Sequence, residues 1–168
     1  MLVALLMGGM FTLCNAQKHF TVWYGANISS LSTDGKSPDS EFKALNLGID
    51  YSSAINEMFD WTVGAAYVTK GCKDWDPAFA QIDANASWNF VKGDSYKVAL
   101  LTGPYADIMV NKDDMKDTKS FSWGWQAGVK GTYKDFSLKA GYELGLSDVV
   151  KAGKSKASGI YFRLGYSF

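Results

Sequence analysis

Phe121-Ser122-Trp123-Gly124-Trp125-Gln126-Ala127-Gly128-Val129-Lys130 alternates without a break, with Phe121, Trp123, Trp125, Ala127 and Val129 on one side and Ser122, Gly124, Gln126, Gly128 and Lys130 on the other. Successive side chains of a strand point to opposite faces, so a period of two puts each set wholly on one face. A helix would scatter both sets around its axis. The stretch is a strand with one apolar face and one face of small, polar and charged residues.

The same period recurs along the rest of the chain from Phe20 onward. Phe20, Val22, Tyr24, Ala26 and Ile28 oppose Thr21, Trp23, Gly25, Asn27 and Ser29. Leu45, Leu47, Ile49 and Tyr51 oppose Ala44, Asn46, Gly48 and Asp50. Trp61, Val63, Ala65 and Tyr67 oppose Thr62, Gly64 and Ala66, and Ile82, Ala84, Ala86, Trp88 and Phe90 oppose Asp83, Asn85, Ser87 and Asn89. Tyr96, Val98 and Leu100 oppose Lys97, Ala99 and, less cleanly, Leu101. After the opening stretch come Phe136, Leu138, Ala140, Tyr142 and Leu144 against Ser137, Lys139, Gly141, Glu143 and Gly145, then Ile160, Phe162, Leu164, Tyr166 and Phe168 against Tyr161, Arg163, Gly165 and Ser167. The pattern predicts eight strands, each near the about 9–11 residues that cross a bilayer at a tilt.

The connections alternate as well. Ser52 to Asp60, Val91 to Ser95 and Lys134-Asp135 are short, whereas Ser30 to Glu41, Lys70 to Ala80, Asn111 to Ser120 and Ser147 to Ser158 are longer and polar. Short turns at one end and long loops at the other describe an antiparallel up-and-down transmembrane β-barrel of the outer-membrane kind. Pro104, lacking a ladder donor, is expected at a bulge or near the loop end of the fifth strand.

Alternation alone leaves open which face points outward, since a soluble lipocalin-like barrel turns its apolar face in. Volume decides between the two. Eight strands enclose a space just wide enough for side chains to fill, and the chain holds 6 Trp, 9 Tyr and 10 Phe. Gly25, Gly48, Gly64, Gly103, Gly124, Gly128, Gly141, Gly145 and Gly165 all lie on the other face, where short residues suit a narrow interior. The apolar face therefore looks outward. Tyr51, Trp61, Phe90, Tyr96, Tyr133, Phe136 and Phe168 stand beside the short turns, with Trp123 near the loops, as expected of a lipid-facing aromatic girdle.

Leu2 to Leu13 is an apolar run broken only by Gly and Thr12, followed by Cys14-Asn15-Ala16 and Gln17. This reads as a cleavable signal peptide over residues 1–16, with the barrel domain over 17–168. No Lys or Arg precedes the apolar run, which points to a start further upstream, and a buried N-terminal strand is the alternative. Cleavage after Ala16 would leave Cys72 as the one cysteine, so no internal disulfide is expected. The formal charge balances, 17 basic against 17 acidic residues, which gives no electrostatic case for a nucleic-acid partner.

Several short motifs resemble the small outer-membrane β-barrel domain family often called PorT-like. Tyr24-Gly25-Ala26-Asn27-Ile28-Ser29-Ser30-Leu31 resembles its first-strand pattern, and Gly103-Pro104-Tyr105 its Gly-Pro-aromatic stretch. Gly141-Tyr142-Glu143-Leu144-Gly145-Leu146 is similar to its late aromatic pattern, and Leu164-Gly165-Tyr166-Ser167-Phe168 to its closing strand. The resemblance implies an outer-membrane barrel whose terminal aromatic addresses the barrel-insertion machinery. It implies little about activity.

Candidate chemistry is sparse. The single histidine, His19, has no nucleophile or carboxylate set beside it by spacing, so no catalytic residue, metal ligand or cofactor is expected. Asp50, Asp83, Lys97, Lys130, Lys139, Glu143 and Arg163 fall on the inward face, where charges need partners; an interior ion-pair network is the expected role, and a proton or ion path the alternative. The loop clusters Asp74-Trp75-Asp76 and Asp113-Asp114 with Asp117 lack the ligand spacing of a calcium loop and are interleaved with Lys70, Lys73, Lys112, Lys116 and Lys119. Those lysines, with Lys151, Lys154 and Lys156, suit anionic lipopolysaccharide head groups. Trp75 and Phe79 are the candidates for contact with an extracellular partner. The expected function is a non-enzymatic, non-conducting barrel with an envelope-structural or loop-presenting role, against an adhesin or a soluble ligand-binding barrel.

Overall fold

Eight strands, β1 (Lys18–Thr33), β2 (Glu41–Ala54), β3 (Phe59–Thr69), β4 (Ala78–Lys92), β5 (Tyr96–Met109), β6 (Phe121–Tyr133), β7 (Phe136–Gly145) and β8 (Ser155–Ser167), follow one another around a closed barrel. The computed structural model describes residues 18–33, 40–70, 77–110, 120–147 and 155–168. Each strand pairs antiparallel with its sequence neighbours, and β8 closes onto β1 from Thr21↔Ser167 to Thr33↔Ser155. Phe20 and Phe168 exchange backbone hydrogen bonds just beyond that seam. Closure leaves no row of unpaired strand-edge groups.

The faces follow the period-two reading. On β6, Ser122, Gly124 and Gln126 are buried while Phe121, Trp123, Trp125, Ala127 and Val129 are exposed. The outward rows carry Leu47, Ile49, Ile82, Leu100, Leu138, Phe162 and Leu164, all exposed. A continuous belt of exposed aliphatic and aromatic side chains needs an apolar surround, because soluble monomers rarely expose large apolar patches. A lipid-facing exterior meets that need.

Two details depart from the sequence reading. First, β5 runs through Pro104 to Met109, so the proline marks neither a bulge nor the strand's end. Pro104 sits in register opposite Trp125 of β6, while pairing toward β4 skips from Tyr105 to Thr102. The missing N–H thus falls on the β4 side, where Gly103 lets the two backbones approach closely. The irregularities lie elsewhere, between Gly25 and Asn27 and between Asn89 and Val91. Second, β1 reaches Thr33, β4 starts at Ala78 and β8 at Ser155, so these strands extend further toward the loops than expected. Leu101, the less clean member of its row, is buried inside, in step with its neighbours and on the face the alternation gave it.

The interior glycines make room for side chains from neighbouring strands. Trp23 lies over Gly48 and Ala66, and Tyr161 fits against Gly128 and Gly141, where an added Cβ would stand 2.9 and 2.5 Å from its hydroxyl. Gly64 clears space for the carboxylates of Asp50 and Asp83. Toward the loop end, Val68, Phe79 and Met109 pack with Trp23 as a buried apolar cluster inside the barrel.

Candidate functional site

The polar interior is one connected system. From the loop end, Lys70 Nζ lies 2.7 Å from Asp107 Oδ2 and 2.7 Å from Glu143 Oε2, with the Tyr105 ring 4.3 Å away. Arg163 Nη2 donates to Glu143 Oε1 at 2.9 Å and to Gln81 Oε1 at 3.0 Å. Its other terminal nitrogen stands 3.6 Å from Asp83 Oδ2, and the guanidinium is held 4.5 Å from the rings of Trp23 and Tyr161. Asn85 Nδ2 donates to Asp83 Oδ1 at 2.5 Å, and Gln126 Nε2 to Asn85 Oδ1 at 3.0 Å. Deeper toward the short turns, Lys139 pairs with Asp50, whose other oxygen accepts the Trp23 indole N–H at 3.0 Å.

These side chains belong to different strands, so the network ties opposite walls together. Asp50, Asp83, Asp107, Glu143, Lys70, Lys139, Arg163, Gln81 and Gln126 are each at most 5% exposed. Buried ions on this scale are tolerated because each carboxylate faces a cation; a lone one would be strongly unfavourable. Below the Lys70–Asp107–Glu143 cluster the charges are also sorted. Lys97, Lys130, Lys139 and Arg163 come from four consecutive strands, β5 to β8, while Asp60, Asp50 and Asp83 come from β2 to β4. Lys97–Asp60 (2.5 Å), Lys139–Asp50 and Arg163–Asp83 each cross between these walls.

Of the residues singled out from the sequence, Asp50, Asp83, Lys139, Glu143 and Arg163 are drawn into the network, and Lys97 and Lys130 lie half-buried nearer the short turns. Lys70, Asp107, Gln81, Asn85 and Gln126 belong to it too. Lys70 is a correction: it is buried under Asp107 and Glu143, not solvated among the loop lysines. Phe79 is also a correction. It lies on β4 facing inward, 3% exposed, because the strand starts at Ala78 and its alternation turns that ring into the barrel. It is no loop-contact residue. Trp75 and the acidic loop clusters lie outside the described residues.

Outward rings gather toward the short turns. Phe20, Tyr51 and Trp61 form a chain with centroids 5.0 and 5.6 Å apart, and Phe136 meets Tyr166 at 5.3 Å. Phe90, Tyr96, Tyr133, Phe136 and Phe168 are exposed there, and Trp123 is exposed near the loop end of β6. Among the described residues no group of three His, Cys, Asp or Glu could hold a metal ion. His19 lies on β1 opposite Ser52.

No protein-family model matches the chain, and no curated protein matches it. Solved structures do. Neisserial surface protein A superposes with a TM-score of 0.57 over 89% of this chain and 97% of that one, at 18% identity. Ail, the attachment invasion locus protein of Yersinia pestis, superposes with a TM-score of 0.55 over 90% of this chain and 99% of that one, at 15% identity; it has also been solved with the heparin analogue sucrose octasulfate. The outer membrane enzyme PagL superposes with a TM-score of 0.53 over 84% of this chain and 98% of that one, at 11% identity. Likeness at these identities speaks to the fold, which is that of small eight-stranded outer-membrane barrels.

Proposed function

We propose that the protein is an integral outer-membrane barrel, non-enzymatic and closed to ion flow, that stiffens the envelope and holds four outward loops. The buried ion-pair network carries this reading. It spans the lumen from β2 across to β7 and β8, and it pairs each of its carboxylates with a cation of the protein itself. The same fold houses an enzyme in PagL, so the non-enzymatic part rests on this network. In this reading residues 1–16 are a signal peptide removed on export, lipid and lipopolysaccharide surround the belt, and the insertion machinery reads β8. The PorT-like motifs around Gly25, Pro104 and Gly141 belong to the same proposal.

Two measurements test it. The protein should be recovered in outer-membrane fractions as a heat-modifiable band, and planar bilayers should show no conductance steps; detergent-free solubility or discrete channel openings would overturn the reading.

Ail in complex with a heparin analogue favours a second reading, in which the loops bind a sulfated polysaccharide or another anionic partner. The loop lysines 112, 116, 119, 151 and 154 supply the matching charge in sequence. Shortening those loops should abolish heparin retention while leaving insertion intact.

A further inference from the structure

At the short-turn end the lumen opens into a vestibule of about 370 Å³. Lys130, Lys97, Asp60, Ser52, Thr132 and Ser167 line it, and Lys92, Lys134, Asp94 and Asp135 surround its mouth. The mouth lysines and aspartates balance. The depth does not.

Lys130 stands directly opposite Lys139 on β7, and diagonal to Lys97 on β5, whose partner on β6 is Thr132. Like charges facing each other across a strand pair repel unless counter-charges intervene. Lys139 has Asp50 and Lys97 has Asp60. Lys130, half-buried between these two pairs, forms no ion pair with a described residue. The acidic wall supplies no fourth carboxylate: the next inward residue of β2 after Asp50 is Ser52, whose hydroxyl pairs with Thr62 at 2.9 Å. A cation set in a polar recess, with its strand neighbours already neutralised, selects an anion from solution.

We propose that this vestibule binds a phosphate group, held by the Lys130 ammonium with hydroxyls of the lining around it. The phosphate arrives on a small soluble molecule or on a lipid head group at the barrel's rim; the recognition chemistry is the same. This site is separate from the buried network and needs no opening of it.

The test uses the full chain refolded in octyl glucoside, which carries no phosphate, with ¹³C-labelled lysine. Inorganic phosphate is titrated at ionic strength held constant with sodium chloride. The Lys130 Cε signal, assigned by its loss in Lys130→Arg, should shift saturably with half-saturation in the millimolar range. Phosphate-dependent thermal stabilisation should accompany it, fall at least tenfold in apparent affinity in Lys130→Met, and persist in Lys130→Arg. Ser52→Asp, which adds a second carboxylate to the vestibule beside Asp60, should weaken it, and Lys156→Met, at an exposed site elsewhere, should not. A Lys130 signal that fails to saturate in the unmodified protein overturns the proposal, as does equal affinity in Lys130→Met. Nanodiscs of phosphatidylglycerol without inorganic phosphate separate the sources: a signal already at the saturated position assigns a head group, and one at the free position assigns a soluble phosphate.

Discussion

Asp50 on β2 and Lys139 on β7, 89 positions apart, pair across the lumen, and the indole N–H of Trp23 binds the second oxygen of the same carboxylate at 3.0 Å. Asp50 therefore neutralises one buried cation and satisfies one buried donor at once. Asp50→Ala should destabilise the barrel by about 3–5 kcal/mol, because it leaves the Lys139 ammonium buried without a counter-charge. Adding Lys139→Met to Asp50→Ala should recover most of the loss, since replacing a buried ion pair by apolar groups is often neutral. Urea unfolding in detergent, followed by tryptophan fluorescence, measures both. A double variant as unstable as the single one would show that the pair itself is not the source.

Arg163 is the branch point, touching Glu143, Gln81 and Asp83 and packed between Trp23 and Tyr161. Lysine cannot reproduce a planar fork that serves three partners and stacks on two rings. Arg163→Lys should lower stability by about 2–3 kcal/mol, as expected when charged hydrogen bonds are lost. Truncating the centre further, with Arg163→Ala and Gln81→Ala together, should remove the blockage and produce small conductance steps in planar bilayers where the unmodified barrel gives none. Silence in the double variant would mean that the apolar cluster of Val68, Phe79 and Met109 closes the lumen by itself.

The strands and their two faces are readable because period two is a local property, already stated by each pair of neighbours in Phe121–Lys130, and the facing follows from the volume that eight strands enclose. The network is only half readable, for two physical reasons. Pro104 reads as a break, which hides Tyr105 and Asp107, although Leu101, Gly103, Tyr105, Asp107 and Met109 continue the inward row through it. Lys70 reads as a loop lysine because its partner Asp107 is 37 positions away, and a contact across a barrel leaves no periodic trace. Phe79 fails for the opposite reason. Its alternation with Gln81 and Asp83 is visible in the sequence, but the strand's start at Ala78 lies inside a stretch rich in loop residues.

Leu164 on β8 pairs with Tyr24 and Leu138 and points outward, 59% exposed, in the middle of the apolar belt. Phe168 lies outward at the short-turn edge. Leu164→Arg should therefore destabilise the folded state in lipid vesicles by about 2–4 kcal/mol, and Phe168→Arg by about 0–1 kcal/mol, following the depth dependence of charge on a lipid face. Equal effects at the two positions would contradict a membrane belt centred near Leu164.

Lys134 takes a φ of 51° in the two-residue turn between β6 and β7. Two-residue hairpin loops demand left-handed backbone so that their twist matches that of the strands, and a side chain in that region is strained by about 1–2 kcal/mol. The Lys134 ammonium recovers little of this, lying 5.7 Å from the Tyr133 ring at an exposed position. Lys134→Gly should accordingly stabilise the barrel by about 1 kcal/mol, less the extra freedom that glycine gives the unfolded chain. Lys134→Val, with a branched Cβ in the same backbone, should destabilise it. Urea midpoints of the two variants on either side of the unmodified protein would confirm the turn's conformation, and midpoints that coincide would refute it.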